Sequence, residues 1–149
     1  MSSPSITPST ARRHARVRRQ HGNELAQDYV EAVADRLEEE GEVRVADLQK
    51  VFGVSHVTVI RTLQRLEQAD LVFREKGGGV CLTETGAEMA SQAAERHRLM
   101  RELLMHIGVS EGTADADAEG MEHHLSKETM EAVRIFLEKC HCPNPAPAE

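Results

Sequence analysis

Tryptophan is missing from this 149-residue chain, and tyrosine and phenylalanine number only one and three. So few rings leave the interior to aliphatic side chains, which points to a helical protein rather than an aromatic-rich sheet. The three cysteines, Cys81, Cys140 and Cys142, are too few and too unevenly placed for a disulfide framework, which suits a reducing compartment. No apolar run approaches the roughly 18 residues of a membrane span, and the N-terminus carries no hydrophobic signal core, so a cytoplasmic location is expected. Catalytic signatures are missing as well: there is no His-Glu-x-x-His, no Ser/His/Asp order and no nucleophile elbow. Gly77-Gly78-Gly79 is followed by no Gly-Lys-Ser/Thr and opens no helix, so it is not a nucleotide loop. An enzyme is not expected.

What is present is 40% apolar content, enough for one core or for two small lobes sharing a helix. The net charge of -7 conceals a strong pattern. Residues 1–21 carry five Arg (Arg12, Arg13, Arg16, Arg18, Arg19) and no acid, and residues 22–42 carry eight acids against Arg36. Residues 43–83 are mildly basic and 84–142 acidic again. A partner feels these local fields rather than their sum.

The first ten residues are mostly Ser, Thr and Pro without apolar period and read as disordered, and the basic arm is taken to extend over residues 1–22. Its Arg run suits a phosphate backbone or a minor groove, and equally a solvated tail. Salt sensitivity separates the two. From about Asn23 to Glu40, Leu25, Tyr29, Val33 and Leu37 recur every fourth residue, the stripe of an amphipathic helix. Asp28 and Glu31 stand three apart on it and share a face.

Residues 41–82 read as a helix-turn-helix with a wing. Val45 to Phe52 is a short helix, Gly53 a turn, and Ser55 the cap of a second helix. Val59, Leu63 and Leu66 fall within about 60° and face the core. Val57, Thr58, Arg61, Gln64 and Arg65 form the other face, with Ser55 and His56 at its start, as in a recognition helix entering the major groove. Arg61 or Arg65 suits guanine or phosphate, and Val57 and Ile60 suit a thymine methyl. Leu71 to Arg74 and Val80 to Thr83 then flank a Gly-rich hairpin whose Arg74 and Lys76 suit phosphate contacts. Winged helices also serve as protein-interaction modules. Cys81 reads as core.

Thr83 is placed to cap a long helix running to about His106, with Met89, Ala93, Leu99 and Leu103 among its apolar positions and His97 beside Arg96. Beyond Ser110 comes Glu119-Gly120-Met121-Glu122-His123-His124. If helical, it sets Glu119, Glu122 and His123 within an arc of about 100°, a half-site of hard oxygen and nitrogen donors that suits Mn(II) or Fe(II). An acidic solvated helix carries the same pattern, so partners elsewhere decide. Asp115 reads as a first-turn acid and His124 as a supporting group. Ser126 caps a last helix with Met130, Val133, Phe136 and Leu137, whose apolar stripe makes a twofold dimer the default. Cys140-His141-Cys142 has no second Cys/His pair at finger spacing, and the Pro-rich residues 143–149 read as a disordered tail.

Asp28-Tyr29-Val30-Glu31, the winged helix, Arg96-His97 and Glu119 to His124 occur in the order in which they stand in the manganese transport regulators of the diphtheria-toxin-repressor superfamily, and the chain resembles that family from residue 23 to about 139. The resemblance implies a mostly α fold: a winged-helix DNA-binding domain over residues 23–83 and a helical metal-binding and dimerisation domain over 84–142. It implies two Mn(II) ions per subunit, with Asp28, Glu31, His97, Glu119, Glu122 and His123 as ligands. It also implies a homodimer on a double-stranded operator that represses manganese uptake genes when metal is bound, with no organic cofactor. Iron-responsive members of the superfamily place Met and Cys where this chain has Asp28 and Glu119, so hard donors there favour manganese over an iron(II)-responsive repressor. The basic arm and Val57 depart from many relatives and bear on which operator is read. A carboxylate-bridged dimetal enzyme is the rival from another class, but its Glu-x-x-His occurs once, at Glu138 to His141. A metal-independent winged-helix regulator is the other.

Overall fold

Local sequence chemistry sets the punctuation of the chain. The computed structural model describes the backbone of residues 8–141 and the side chains of residues 21–140. The expectations for residues 1–7, for Cys142 and for the tail 143–149 lie outside the described residues, as do the side chains of the Arg run and of His141.

The first helix, α1, spans Pro8–Glu40, so the backbone of 8–22 is helical where the sequence pattern suggested a disordered arm. The reason is propensity: Ser9 to His21 holds neither Gly nor Pro and is rich in Arg and Ala, while Pro8 at the first helical position lacks only an N–H that would be orphaned there. Next come α2 (Val45–Phe52) and α3 (His56–Gln68), joined through Gly53. At φ 62 that residue is left-handed, the conformation Gly adopts without a Cβ clash. Ser55 caps α3 as expected, its Oγ accepting from the Thr58 N–H at 3.2 Å.

Strands β1 (Val72–Arg74) and β2 (Val80–Leu82) pair antiparallel with Phe73 opposite Cys81. Arg44 bridges to Gly79 at the outer side of β2, and the Val80 N–H reaches the Val43 carbonyl at 2.8 Å. These elements enclose one core of Tyr29, Val30, Val33, Leu48, Val59, Leu63, Leu66, Leu71 and Val80. Leu25, expected in the stripe of α1, is instead 40% exposed, and Val30 takes the buried place. Tyr29 stacks on Phe52 with ring centroids 4.1 Å apart. Its hydroxyl bonds Thr62, a buried polar side chain that also donates to the Thr58 carbonyl at 3.0 Å. Cys81 is half-buried and a free thiol, and burial, then nearby Glu75, push its pKa up.

Helix α4 (Glu84–His106) starts at Thr83, whose Oγ1 accepts from the Gly86 N–H at 3.0 Å and donates to the Asp70 carbonyl at 2.6 Å. It ends at Gly108 as expected. The chain forms two compact units that part within α4, residues 1–90 and 91–149, rather than at the helix start. Gly86 and Ala90 explain this: Gly86 lies against the Leu71 backbone and Ala90 closes the first core, so the opening turns of α4 belong with the winged helix.

The second unit contains the rest of α4, then α5 (Glu111–Met121), a 3-10 turn (Glu122–His124) and α6 (Lys127–His141). Ser126 caps α6 through the Thr129 N–H at 3.1 Å, whereas Ser110 turns its hydroxyl to Thr113 Oγ1 at 3.1 Å instead of to a backbone N–H. Leu99, Met100, Leu104, Ala114, Ala118, Met130, Val133 and Leu137 form its core. Ile107, Ile135 and Phe136 stay exposed, with Phe136 edge-on to His106. No helix among the described residues is long and apolar enough to cross a membrane.

Candidate metal centre and nucleic-acid interface

Three elements of the second unit bring donors together. His97 comes from α4, Glu119 from α5, and Glu122 and His123 from the 3-10 turn. The expectation of one continuous helix from Glu119 to His124 does not hold. The α-helix ends at Met121 because Leu125 must be extended ahead of the cap at Ser126, and the chain tightens before it. Glu119 stands in the last turn of α5 and Glu122 opens the 3-10 turn, and their carboxylates still reach one cluster.

One ligand atom each from His97, Glu119 and Glu122 lies within 4.8 Å of the others, the spacing of a cation site. His97 Nδ1 is 3.0 Å from Glu122 Oε2 and 3.5 Å from Glu119 Oε2. His123 Nε2 stands 3.9 Å from the other Glu122 oxygen. The Glu122 side chain is only 2% exposed, and this burial is what raises its carboxyl pKa, against the opposing pull of His97 and His123. For His97, burial alone lowers the pKa. The hydrogen bond to Asp115 and the charges of Glu122, Glu119 and Asp115 outweigh it and leave the imidazole raised.

A carboxylate taken out of water requires a positive partner. The cluster offers carboxylate oxygens and an imidazole nitrogen and no sulfur, a donor set that a hard divalent cation satisfies. The residues present therefore fit Mn(II). Asp28 and Glu31 belong to the first unit. Both are half-buried, about 60° apart around α1, on the flank away from Tyr29, Val30 and Val33. His124 is exposed.

On α3 of the first unit, most of the residues expected to face DNA lie at the surface. His56, Val57, Thr58, Arg61, Gln64 and Arg65 are exposed along α3 while Val59, Leu63 and Leu66 are buried, and Ile60 is half-buried. Ser55 and Thr58 are partly occupied by the cap, their hydroxyls 2.9 Å apart. In the wing, Lys76 is exposed, but Arg74 makes a two-point bond to Glu67 of α3, Nε to Oε1 at 2.7 Å and Nη2 to Oε2 at 2.8 Å. That bond fixes the wing to the recognition helix, a role the spacing of seven residues did not advertise.

Comparison with known proteins agrees with this architecture. Residues 83–148 match the family described as iron dependent repressor, metal binding and dimerisation domain, and residues 30–85 match a DeoR-like helix-turn-helix domain. Over 123 residues the chain is 43% identical to the transcriptional regulator MntR of Escherichia coli O157:H7, covering 83% of this chain and 79% of that one. The chain belongs to the MntR family of transcriptional regulators. MntR-family architecture extends to solved structures. The manganese regulator SloR superposes with a TM-score of 0.66 at 27% identity, covering 76% of this chain and 53% of that one. A manganese-dependent transcriptional repressor in complex with manganese gives 0.68 at 29% identity, covering 76% and 52%. The chain thus spans about half the length of these two solved regulators.

Proposed function

We propose that this protein is a Mn(II)-responsive, DNA-binding transcriptional regulator that represses manganese uptake genes when the metal is bound. The observation that carries this reading is the convergence of His97, Glu119 and the buried Glu122 within 4.8 Å in a chain that also matches a helix-turn-helix domain over residues 30–85. The solved regulators it resembles, one a manganese regulator and one a manganese-dependent repressor, support the choice of metal.

In this reading the ligands are Asp28, Glu31, His97, Glu119, Glu122 and His123, holding two Mn(II) ions per subunit. Residues 23–83 form the DNA-binding domain, with Ser55, His56, Val57, Thr58, Arg61, Arg65, Arg74 and Lys76 at the operator. Residues 84–142 bind metal and dimerise, the protein works as a cytoplasmic homodimer on double-stranded DNA, and no organic cofactor takes part. The bound ion supplies positive charge to a cluster of carboxylates that otherwise repel one another. With metal bound, Asp28 and Glu31 would act as ligands together with His97, Glu119, Glu122 and His123, and the spacing of two recognition helices would match one or more turns of B-DNA, roughly 34–36 Å each.

Operator titrations at one fixed ionic strength with Mn(II), Fe(II), Zn(II) and chelator test this, because salt alone shifts such affinities by orders of magnitude. Mn(II) is expected to tighten binding, and Glu122→Ala is expected to abolish the response while the fold persists. Equal operator affinity with Mn(II) and with chelator sinks the metal reading. A greater response to Fe(II) than to Mn(II) moves it to iron.

A further inference from the structure

The two ring nitrogens of His97 have different partners. Nδ1 faces Glu122 at 3.0 Å and Glu119 at 3.5 Å, while Nε2 lies 3.2 Å from Asp115 Oδ1. A neutral imidazole has one N–H and one lone pair, and only the lone pair binds a cation. Carboxylates face both nitrogens, so these contacts alone do not place the proton of the metal-free ring. Once Nδ1 gives its lone pair to a cation among Glu122 and Glu119, the remaining N–H lies on Nε2, where Asp115 accepts it.

The arrangement comes from matched helical repeats. Glu111, Asp115 and Glu119 recur every fourth residue on α5, and His97 and Arg101 stand four apart on α4. The two rows interleave as a ladder of alternating sign. Arg101 Nη2 bonds Glu111, Arg101 Nε lies 3.4 Å from Asp115 Oδ1, and His97 stands between Asp115 and Glu119. Asp115 is therefore shared with a guanidinium, sits on the far side of the imidazole from Glu122 and lies outside the three-donor cluster. A carboxylate so engaged is a poor ligand and a good anchor.

We propose that Asp115, steadied by Arg101, is a positioning residue that holds the His97 ring with Nδ1 toward the metal by accepting from its Nε2–H. The proposal rests on the metal reading above and adds to it a residue that no ligand pattern in the sequence singles out. Outer groups that orient a ligating histidine commonly contribute 10- to 100-fold in metal affinity. Asp115 is 62% exposed, so solvent competes for its bond and the lower end, about tenfold, is expected.

Electron paramagnetic resonance of free Mn(II) during titration of the full-length protein tests this. Asp115→Ala should bind Mn(II) about tenfold more weakly. Asp115→Asn, whose amide oxygen still accepts from Nε2–H, should recover most of the affinity. The proposal is overturned if Asp115→Ala keeps wild-type affinity, or if Asp115→Asn binds no better than Asp115→Ala, which leaves only the charge of Asp115 at work. It is also overturned if Asp115→Asn loses Mn(II) as fully as Glu122→Gln, which makes Asp115 a ligand. If wild type takes up no more Mn(II) than Glu122→Gln, the metal centre itself falls, and Asp115 with it.

Discussion

Gly86→Ala sets two opposed effects against each other at the start of the helix that carries His97. Alanine has the higher helix propensity, and the exchange is worth about 1 kcal/mol in an open helix. Here a Cβ at residue 86 would stand 1.9 Å from the Leu71 carbonyl oxygen and 2.9 Å from its carbon. Both are backbone atoms, so no side chain can swing away. The Leu71 carbonyl accepts from the Thr83 N–H at 3.1 Å, and Thr83 in turn caps Gly86. Relieving the clash therefore moves the cap as well as the strand. Overpacking of this kind costs about 1–3 kcal/mol, and losing a cap adds about 1. Against the propensity gain, a net loss of about 2 kcal/mol is expected. Urea unfolding of the full chain followed by circular dichroism measures it, as a lower midpoint at unchanged slope. A variant as stable as wild type, or more so, refutes the close approach of α4 to Leu71.

The bond between Glu67 and Arg74 predicts a pH effect of definite sign. Its hydrogen bonds hold the Glu67 carboxyl below the usual 4.5, against a smaller upward push from burial. Its stabilisation is therefore complete above that value and lost as pH falls through the depressed folded-state pKa. For a pair at 28% and 33% exposure this amounts to at most about 1 kcal/mol, and in Glu67→Gln that part of the acid slope should vanish from the urea midpoint. On the operator, Arg61→Ala should cost about 1–3 kcal/mol and relax specificity at one base pair, whereas Lys76→Ala should weaken all sequences alike and lower the salt slope by about one ion. A uniform loss for Arg61→Ala reassigns that residue to phosphate. Metal and operator must also tighten each other by the same factor, so Mn(II) titrations with and without operator DNA should return the gain seen in operator titrations with and without Mn(II). Unequal factors mean that metal and DNA do not select one common state.

Patterns that repeat with the helical period were legible in the residues. Val59, Leu63 and Leu66 are buried as a set, and Ser55, Thr83 and Ser126 cap α3, α4 and α6, because burial and capping depend on a few neighbours in sequence. The length of α1 was misjudged because a polar, Arg-rich run has no apolar stripe, yet between Ser9 and His21 it holds no Gly or Pro to break a helix. What period alone cannot supply is which polar side chain meets which across a fold. Thr62 on Tyr29, and Glu67 on Arg74, are pairings of this kind.

The candidate metal centre shows both sides of that division. Glu119, Glu122 and His97 were identifiable because hard donors at helical spacing, together with a family resemblance, restrict the chemistry to few choices. Asp115 was read as an ordinary first-turn acid because α5 by itself offers it no partner. Only the apposition of α4 gives it one, and the same apposition places Arg101 where it balances the charge. The burial of Glu122 is likewise a product of the 3-10 turn, which no propensity in Glu-His-His foretells. Ligand type is thus written locally, whereas a ligand's burial, and with it the demand for a cation, arises only when separate helices meet.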